Sequence, residues 1–232
     1  MQIAIDGPAS SGKSTVAKWL AKTLKLVYVD TGAMYRAVTL HFINHKVNLQ
    51  ENDQVKEFLH QCQISFKNMD SGQIILLNGQ DITKEIRSNE VNNLVSEVSA
   101  LEIVRSYLVS QQQEIAQAHS VIMDGRDIGT VVLPQADFKF YLTASPHVRA
   151  KRRYLENLEK GLSNLSLEEI EQSIIQRDYI DSNRKHSPLV KAEDAIELDC
   201  SDLSIEETIS TILKIIKKNQ DEASTMNELN DL

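Results

Sequence analysis

Cysteine is nearly absent from the 232 residues: Cys62 and Cys200 stand alone, with no CxxC pair and no histidine cluster beside them. That excludes a disulfide scaffold or a zinc site and leaves two buried thiols as the expectation. No run approaches 18 apolar residues, so no membrane-spanning helix is expected. The first residues, Met1-Gln-Ile-Ala-Ile-Asp6, have neither the basic start nor the apolar stretch of a secretion signal, and the expected location is the cytoplasm. Positive charge is also in deficit. Lys plus Arg is 25 against 33 for Asp plus Glu, a net charge of −8. A field of that sign repels nucleic acid and anionic membranes, so neither is an expected partner. The deficit is uneven. Residues 219–232 hold Asp221, Glu222, Glu228 and Asp231 and no Lys or Arg, leaving −4 for residues 1–218. This polar tail is expected to be disordered.

What is present is enough apolar content, 41% hydrophobic, to build the core of one domain. Short apolar runs recur at Ile3–Asp6, Val27–Asp30, Val121–Asp124, Phe138–Leu142 and Ala195–Asp199. Near-continuous runs suit strands buried on both faces of a parallel sheet, and helical stretches separate them, so the pattern is α/β. Four of the five runs end in Asp, at the edge where open α/β sheets bind ligands. Residues 64–83 break this rhythm and read as an inserted β-hairpin, with Asp70-Ser71-Gly72 as its turn. Ser99-Ala-Leu-Glu102 and Ser166-Leu-Glu-Glu169 fit reciprocal helix caps. Ser145-Pro146 starts another helix, which Gly161 stops. The lone Trp19 is expected in the core of the first helix, and the six histidines on the surface or in packing.

Gly7-Pro8-Ala9-Ser10-Ser11-Gly12-Lys13-Ser14, followed by Thr15, matches G-x-x-x-x-G-K-[ST] between a strand and a helical pattern. The glycines let backbone N–H groups converge on phosphate oxygens, and the helix N-terminus adds partial positive charge. Lys13 would bridge the β- and γ-phosphates of a nucleoside triphosphate, and the Ser14 hydroxyl would ligate Mg²⁺. The chain lacks the N-K-x-D motif that reads guanine, which argues against a GTPase.

Arginine is more telling than lysine, because its planar fork reads phosphate bidentately. Eight of nine arginines fall in five places: Arg36, Arg105, Arg126, the group Arg149, Arg152 and Arg153, and the pair Arg177 and Arg184. Arg149, Arg152 and Arg153 share one helical face, and so do Arg177, Asp181 and Arg184. Taken alone, these are surface ion pairs; beside a phosphate loop they read as a lid that excludes water. Asp124-Gly-Arg-Asp127 follows the third strand. Asp124 can hold Mg²⁺ through water, Arg126 can clamp an acceptor phosphate, and Asp127 can accept from a base amino group. Ser96 and Arg105 lie nine residues apart and meet in one pocket only if the helix between them breaks.

Four stretches together resemble the bacterial cytidylate kinases: Asp6–Thr15, Asp30-Thr-Gly-Ala-Met-Tyr-Arg36, Asp124-Gly-Arg-Asp-Ile-Gly-Thr-Val-Val132 and Arg177-Asp-Tyr-Ile-Asp-Ser-Asn-Arg184. The resemblance spans residues 2–217. It implies a P-loop NTPase-type three-layer fold with a five-stranded parallel sheet, a β-rich insert in the monophosphate-binding region, and a helical lid. The core would comprise 1–35, 88–147 and 190–218, the insert-bearing region 36–87, and the lid 148–189, in one domain of 1–218. The resemblance further implies that Thr31, Tyr35, Arg36 and Arg126 hold the acceptor nucleotide and its phosphate. Ser96, Arg105 and Asp127 would read cytosine, Arg177 and Asp181 would hold the sugar, and Arg184 would lie near the transferred group. Lys13, Arg126, Arg152 and Arg184 are the expected catalytic set. Thr31 stands where some members have Ser, and Ser10-Ser11 where Gly-Ala is frequent. The implied reaction moves the γ-phosphoryl of ATP, with Mg²⁺, to CMP or dCMP, in a monomer. The alternatives are a shikimate- or gluconate-type kinase, or an ATP-binding switch without turnover. The first group lacks these acceptor motifs together with a β-insert, and the acceptor-side arginines argue against the second.

Overall fold

Five strands form one parallel sheet, buried through β1, β6 and β7 and exposed at the β8 edge, with helices over both faces. The computed structural model describes residues 1–69, 72–161 and 165–230. In chain order the elements are β1 (Gln2–Asp6), α1 (Lys13–Leu24), β2 (Val27–Asp30), α2 (Thr31–Asn44), α3 (Asn52–His60), β3 (Ile64–Met69), β4 (Gly72–Leu77), β5 (Gln80–Asp81), α4 (Asn89–Ala100), α5 (Glu102–Ala118), β6 (Val121–Gly125), β7 (Phe138–Thr143), α6 (Pro146–Lys160), α7 (Leu167–Asn183), β8 (Ile196–Asp199) and α8 (Ile205–Asn230). The sheet order is β2-β6-β1-β7-β8, all parallel. On one face Val16 and Leu20 of α1 and Ile209, Ile212 and Ile216 of α8 pack against Ile3, Ile5, Phe140 and Leu142. On the other, Met34, Val38 and Phe42 of α2 join Val95, Val98 and Leu108 of α4 and α5. The five runs read as strands are these five strands, and the three layers follow from them.

The insert is a small antiparallel sheet, β3-β4-β5, seated on the second core through Ile75 and Leu77. Asp70 and Ser71 of its expected turn lie outside the described residues. Ser145 accepts from Val148 N with Pro146 in the first turn, Ser166 and Glu169 cap each other, and Gly161 closes α6 at φ 61°. Among the described residues no helix is long and apolar enough to cross a membrane.

Three expectations are corrected. The cap expected at Ser99 does not form. The helix runs through Ala100 and breaks at Leu101, so Ser99 is still helical and its hydroxyl donates back to the Ser96 carbonyl at 3.1 Å. Trp19 is 45% exposed rather than in the core. Val16, Ala17, Leu20 and Ala21 occupy the sheet-facing stripe of α1, and position 19 falls outside it. The segment from 219, expected to be disordered, continues α8 through Asn230; residues 231–232 lie outside the described residues. The segment contains no Gly or Pro to stop a helix already anchored by the packing of Ile209, Ile212 and Ile216.

Candidate active site

Between β1 and α1 the backbone must turn sharply under strand β7. Gly7 has φ 145° and Gly12 φ 96°, and a Cβ on Gly7 would lie 2.0 Å from the Leu142 carbonyl oxygen. Only glycine fits there. Lys13 opens α1, 5% exposed, and its ammonium donates to the Pro8 carbonyl at 2.8 Å. Burial first, then the Arg126 charge, lowers its pKa well below the ordinary lysine range. The Ser14 hydroxyl donates to Asp124 Oδ2 at 2.6 Å, and the Tyr28 hydroxyl donates to Asp124 Oδ1 at 2.8 Å. Burial, then the nearby Asp30, raises the Asp124 pKa.

Beyond this loop, the carboxyl ends of β2 and β6 open into a cavity of about 120 Å³. Seven cations line it, Lys13, Arg36, Arg105, Arg126, Arg153, Arg177 and Arg184, against four carboxylates, Asp30, Asp124, Asp127 and Asp181. The wall is therefore net positive although the chain is net negative. Thr31 Oγ1 donates to the Asp124 carbonyl at 2.7 Å, and Tyr35 lies under the Arg105 guanidinium at 5.1 Å. Gly125 permits this crowding, since a Cβ there would meet Thr31 Oγ1 at 2.7 Å. Asp127 is gripped by Arg105, and Arg184 stands 3.7 Å away. Arg126 donates to Asp181 at 2.9 Å, with Arg177 at 3.9 Å and Arg184 at 3.8 Å from the same carboxylate. Burial works against the Asp181 charge, but Arg126, Arg177 and Arg184 outweigh it and lower its pKa. Arg36 and Arg177 are lowered by burial first. Asp30 and Asp181 respectively offset part of this, while the surrounding arginines add to it. Buried Arg105 Nε, Arg177 Nε, Arg184 Nη2 and Tyr35 Oη have no hydrogen-bond partner among the described residues. Buried donors of this kind are costly unless something satisfies them.

The cavity thus gathers Lys13, Ser14, Thr31, Tyr35, Arg36, Arg105, Asp124, Arg126, Asp127, Arg177, Asp181 and Arg184, all singled out from the sequence. It does not gather Ser96, which lines a neighbouring cavity of about 330 Å³ between α4 and α7. Ser99, one turn on, sits beside Arg105 instead, and its carbonyl accepts from Arg105 at 3.0 Å. Arg152 lies on the other side of the loop. Its guanidinium donates to the carbonyls of Cys200 at 2.5 Å, Leu203 at 3.4 Å and Ser11 at 3.5 Å, along a cleft of about 600 Å³ over residues Ser10 to Thr15. Arg153, its neighbour, reaches the cavity.

Sequence reasoning missed several members. Asp178 pairs with Arg149 at 2.6 Å, and the two grip one residue of the loop from both sides: Arg149 donates to the Ala9 carbonyl and Asp178 accepts from the Ala9 N–H. Nothing in its spacing separates Asp178 from a surface acid. Arg87, the one arginine outside the five groups, lines both neighbouring cavities. Asp6 was visible as one strand-final Asp among four and as the first residue of the Asp6–Thr15 stretch, with no role assigned to it.

The family profile for Cytidylate kinase matches residues 3–218. A cytidylate kinase of Limosilactobacillus reuteri (strain DSM 20016) is 50% identical over 222 residues, 96% of this chain and 97% of that one. A cytidylate kinase of Bacillus cereus (strain ATCC 10987 / NRS 248) is 49% identical over 216 residues, 93% of this chain and 96% of that one. Among solved structures, an uncharacterized protein from Eubacterium ventriosum ATCC 27560 superposes with a TM-score of 0.50 at 13% identity, over 94% of this chain and 98% of that one. That is a likeness of fold alone.

Proposed function

The chain belongs to the cytidylate kinase family, and from that premise we propose that it transfers the γ-phosphoryl of ATP to CMP or dCMP, releasing ADP with CDP or dCDP. The observation that carries this reading is the net-positive cavity with unpartnered arginine donors, opening directly onto the phosphate loop. One wall supplies Lys13 and the loop N–H groups for ATP. The other supplies Arg36, Arg126 and Arg184 for the acceptor phosphate. The acceptor oxygen is already anionic, so no general base is required. Catalysis is positioning plus neutralisation of charge on the transferred group.

Selection of the base falls to Asp127 and Arg105. A carboxylate accepts from the cytosine amino group, and the guanidinium donates to the ring's acceptors. Uracil carries a carbonyl where cytosine has its amino group, setting acceptor against acceptor, and a buried mismatch of that kind is expensive. Asp181 and Arg177 would hold the sugar, and Thr31 and Tyr35 the acceptor nucleotide, all four from the lining of the same cavity. The Ser14 hydroxyl and Asp124 carboxylate, 2.6 Å apart, are two hard oxygen donors. They fit Mg²⁺, which takes its remaining ligands from water and phosphate. When bound it would neutralise phosphate charge. We take the protein to be a cytoplasmic monomer.

The test is ADP release in a coupled assay with CMP, dCMP, UMP, AMP and shikimate as acceptors. The cytidylates are expected to be preferred, and equal turnover with any other acceptor overturns the reading.

A further inference from the structure

Asp127 stands at the start of the helical turn Ile128–Val132, yet its side chain makes no capping bond there. An Asp in that position ordinarily accepts from the free N–H groups of its own turn. Here its carboxylate faces the cavity instead, held by Arg105 with Arg184 alongside. The N–H groups it leaves are satisfied from another strand. Asp6, at the end of β1, accepts from Ile128 N at 2.9 Å and Gly129 N at 2.7 Å, using one carboxylate oxygen for each.

We propose that Asp6 is a positioning residue that caps the 128–132 turn from outside, and so frees Asp127 to read the base of the acceptor. This rests on the functional reading above. Sheet register brings the groups together, because Asp6 pairs with Gly125 across β1 and β6. Gly129 keeps the approach open: a Cβ there would stand 3.4 Å from Asp6 Oδ2 and 3.2 Å from Lys139 Cδ. Asp6 is 5% exposed, so its partners have no ready substitute in water. Asp6 also directly precedes Gly7. One residue therefore ties the start of the phosphate loop to the turn that directly follows Arg126 and Asp127.

Asparagine at position 6 has a single acceptor oxygen and would set its amide NH₂ against the second N–H. The usual acceptor for an N–H orphaned in a first turn is the carboxylate at its cap position, which here is Asp127. Asp127 would then turn inward, and base reading would weaken while the fold and the ATP side stayed in place.

The experiment compares wild type, Asp6→Asn, Asp127→Asn and the double variant, with CMP and UMP as acceptors. In Asp6→Asn the ratio of kcat/KM for CMP over UMP should fall about tenfold, with KM for ATP within about twofold of wild type. The double variant should show the ratio of Asp127→Asn alone, because both changes remove the same contact. A ratio unchanged in Asp6→Asn, or two effects that multiply in the double variant, overturns the inference. If Asp6→Asn does not fold, Asp6→Ser, with one acceptor oxygen on a shorter stem, carries the same test: a lowered ratio is expected and a wild-type ratio overturns it. A wild type without cytidylate preference would remove the functional reading and this inference together. A selective wild type with an equally selective Asp6 variant removes the inference alone.

Discussion

Lys13 holds a charge where burial and Arg126 both oppose it, with only the Pro8 carbonyl as a hydrogen-bond partner among the described residues. A triphosphate would reverse that balance by bringing negative charge to the ammonium. Lys13→Ala should therefore lower kcat by about 10²–10³, as loss of one preorganised charge contact does. Because the cost of burying the charge disappears with it, the melting temperature should hold or rise. Turnover within twofold of wild type would remove Lys13 from the site. At this scale the sequence was most legible where backbone geometry restricts residue type. Gly7 under β7 admits no other side chain, so the loop announces itself. It was least legible where identity is common and context decides. Asp178 and Asp6 are ordinary acids until the fold sets a loop peptide or a helical turn against them. Arg152 and Arg153 are adjacent in sequence, but a rotation of roughly 100° between helix neighbours sends one to the loop's far side and the other to the cavity.

Helix α6 and helix α7 pack as a pair around Ala150, Ile170 and Ile174, a core much smaller than the other two. So small a core leaves the pair dependent on polar contacts to the rest of the molecule. One that reaches the phosphate loop is the Arg149–Asp178 grip on Ala9, with the Arg149 side chain only 4% exposed. Removing one partner of such a pair strands the other and costs about 3 kcal/mol or more. In Asp178→Ala, amide hydrogen exchange should accelerate in 146–183 while β1, β6 and β7 keep their protection. Turnover should fall with it, since water enters an unlatched site. Acceleration spread evenly over the chain would mean Asp178 supports global stability only. The strands, the insert and the caps at Ser145 and Ser166 could be read in advance, because periodicity and cap chemistry are local. The break between Ser96 and Arg105 was legible too, from the cap chemistry of Ser99–Glu102, although it falls at Leu101 rather than before Ser99. The exposure of Trp19 could not be read, because it depends on which face of α1 the sheet takes, and packing at long range decides that.

At the scale of the whole molecule, two fields of opposite sign compete for the substrates. The chain carries −8, and four of those charges belong to residues 219–232. The cavity wall carries seven cations against four carboxylates. Both substrates are polyanions, so the bulk field repels them and the local one draws them in. Salt separates the two by sign. Screening acts over a Debye length of roughly 10 Å at 0.1 M, so distant surface charge is silenced first. If the bulk field governed encounter, added salt would lift the repulsion and raise kcat/KM. The cleft is narrow and walled by low-dielectric protein, which focuses its field outward, so the local term should dominate. We expect kcat/KM for CMP to fall about three- to tenfold between 20 and 300 mM KCl, with kcat nearly constant. Truncation after Lys218 should leave that slope unchanged, because the acidic end adds only to the weaker field. A kcat/KM that rises with salt, or a slope that steepens on truncation, would place control of encounter in the net charge of the chain rather than in its arginines.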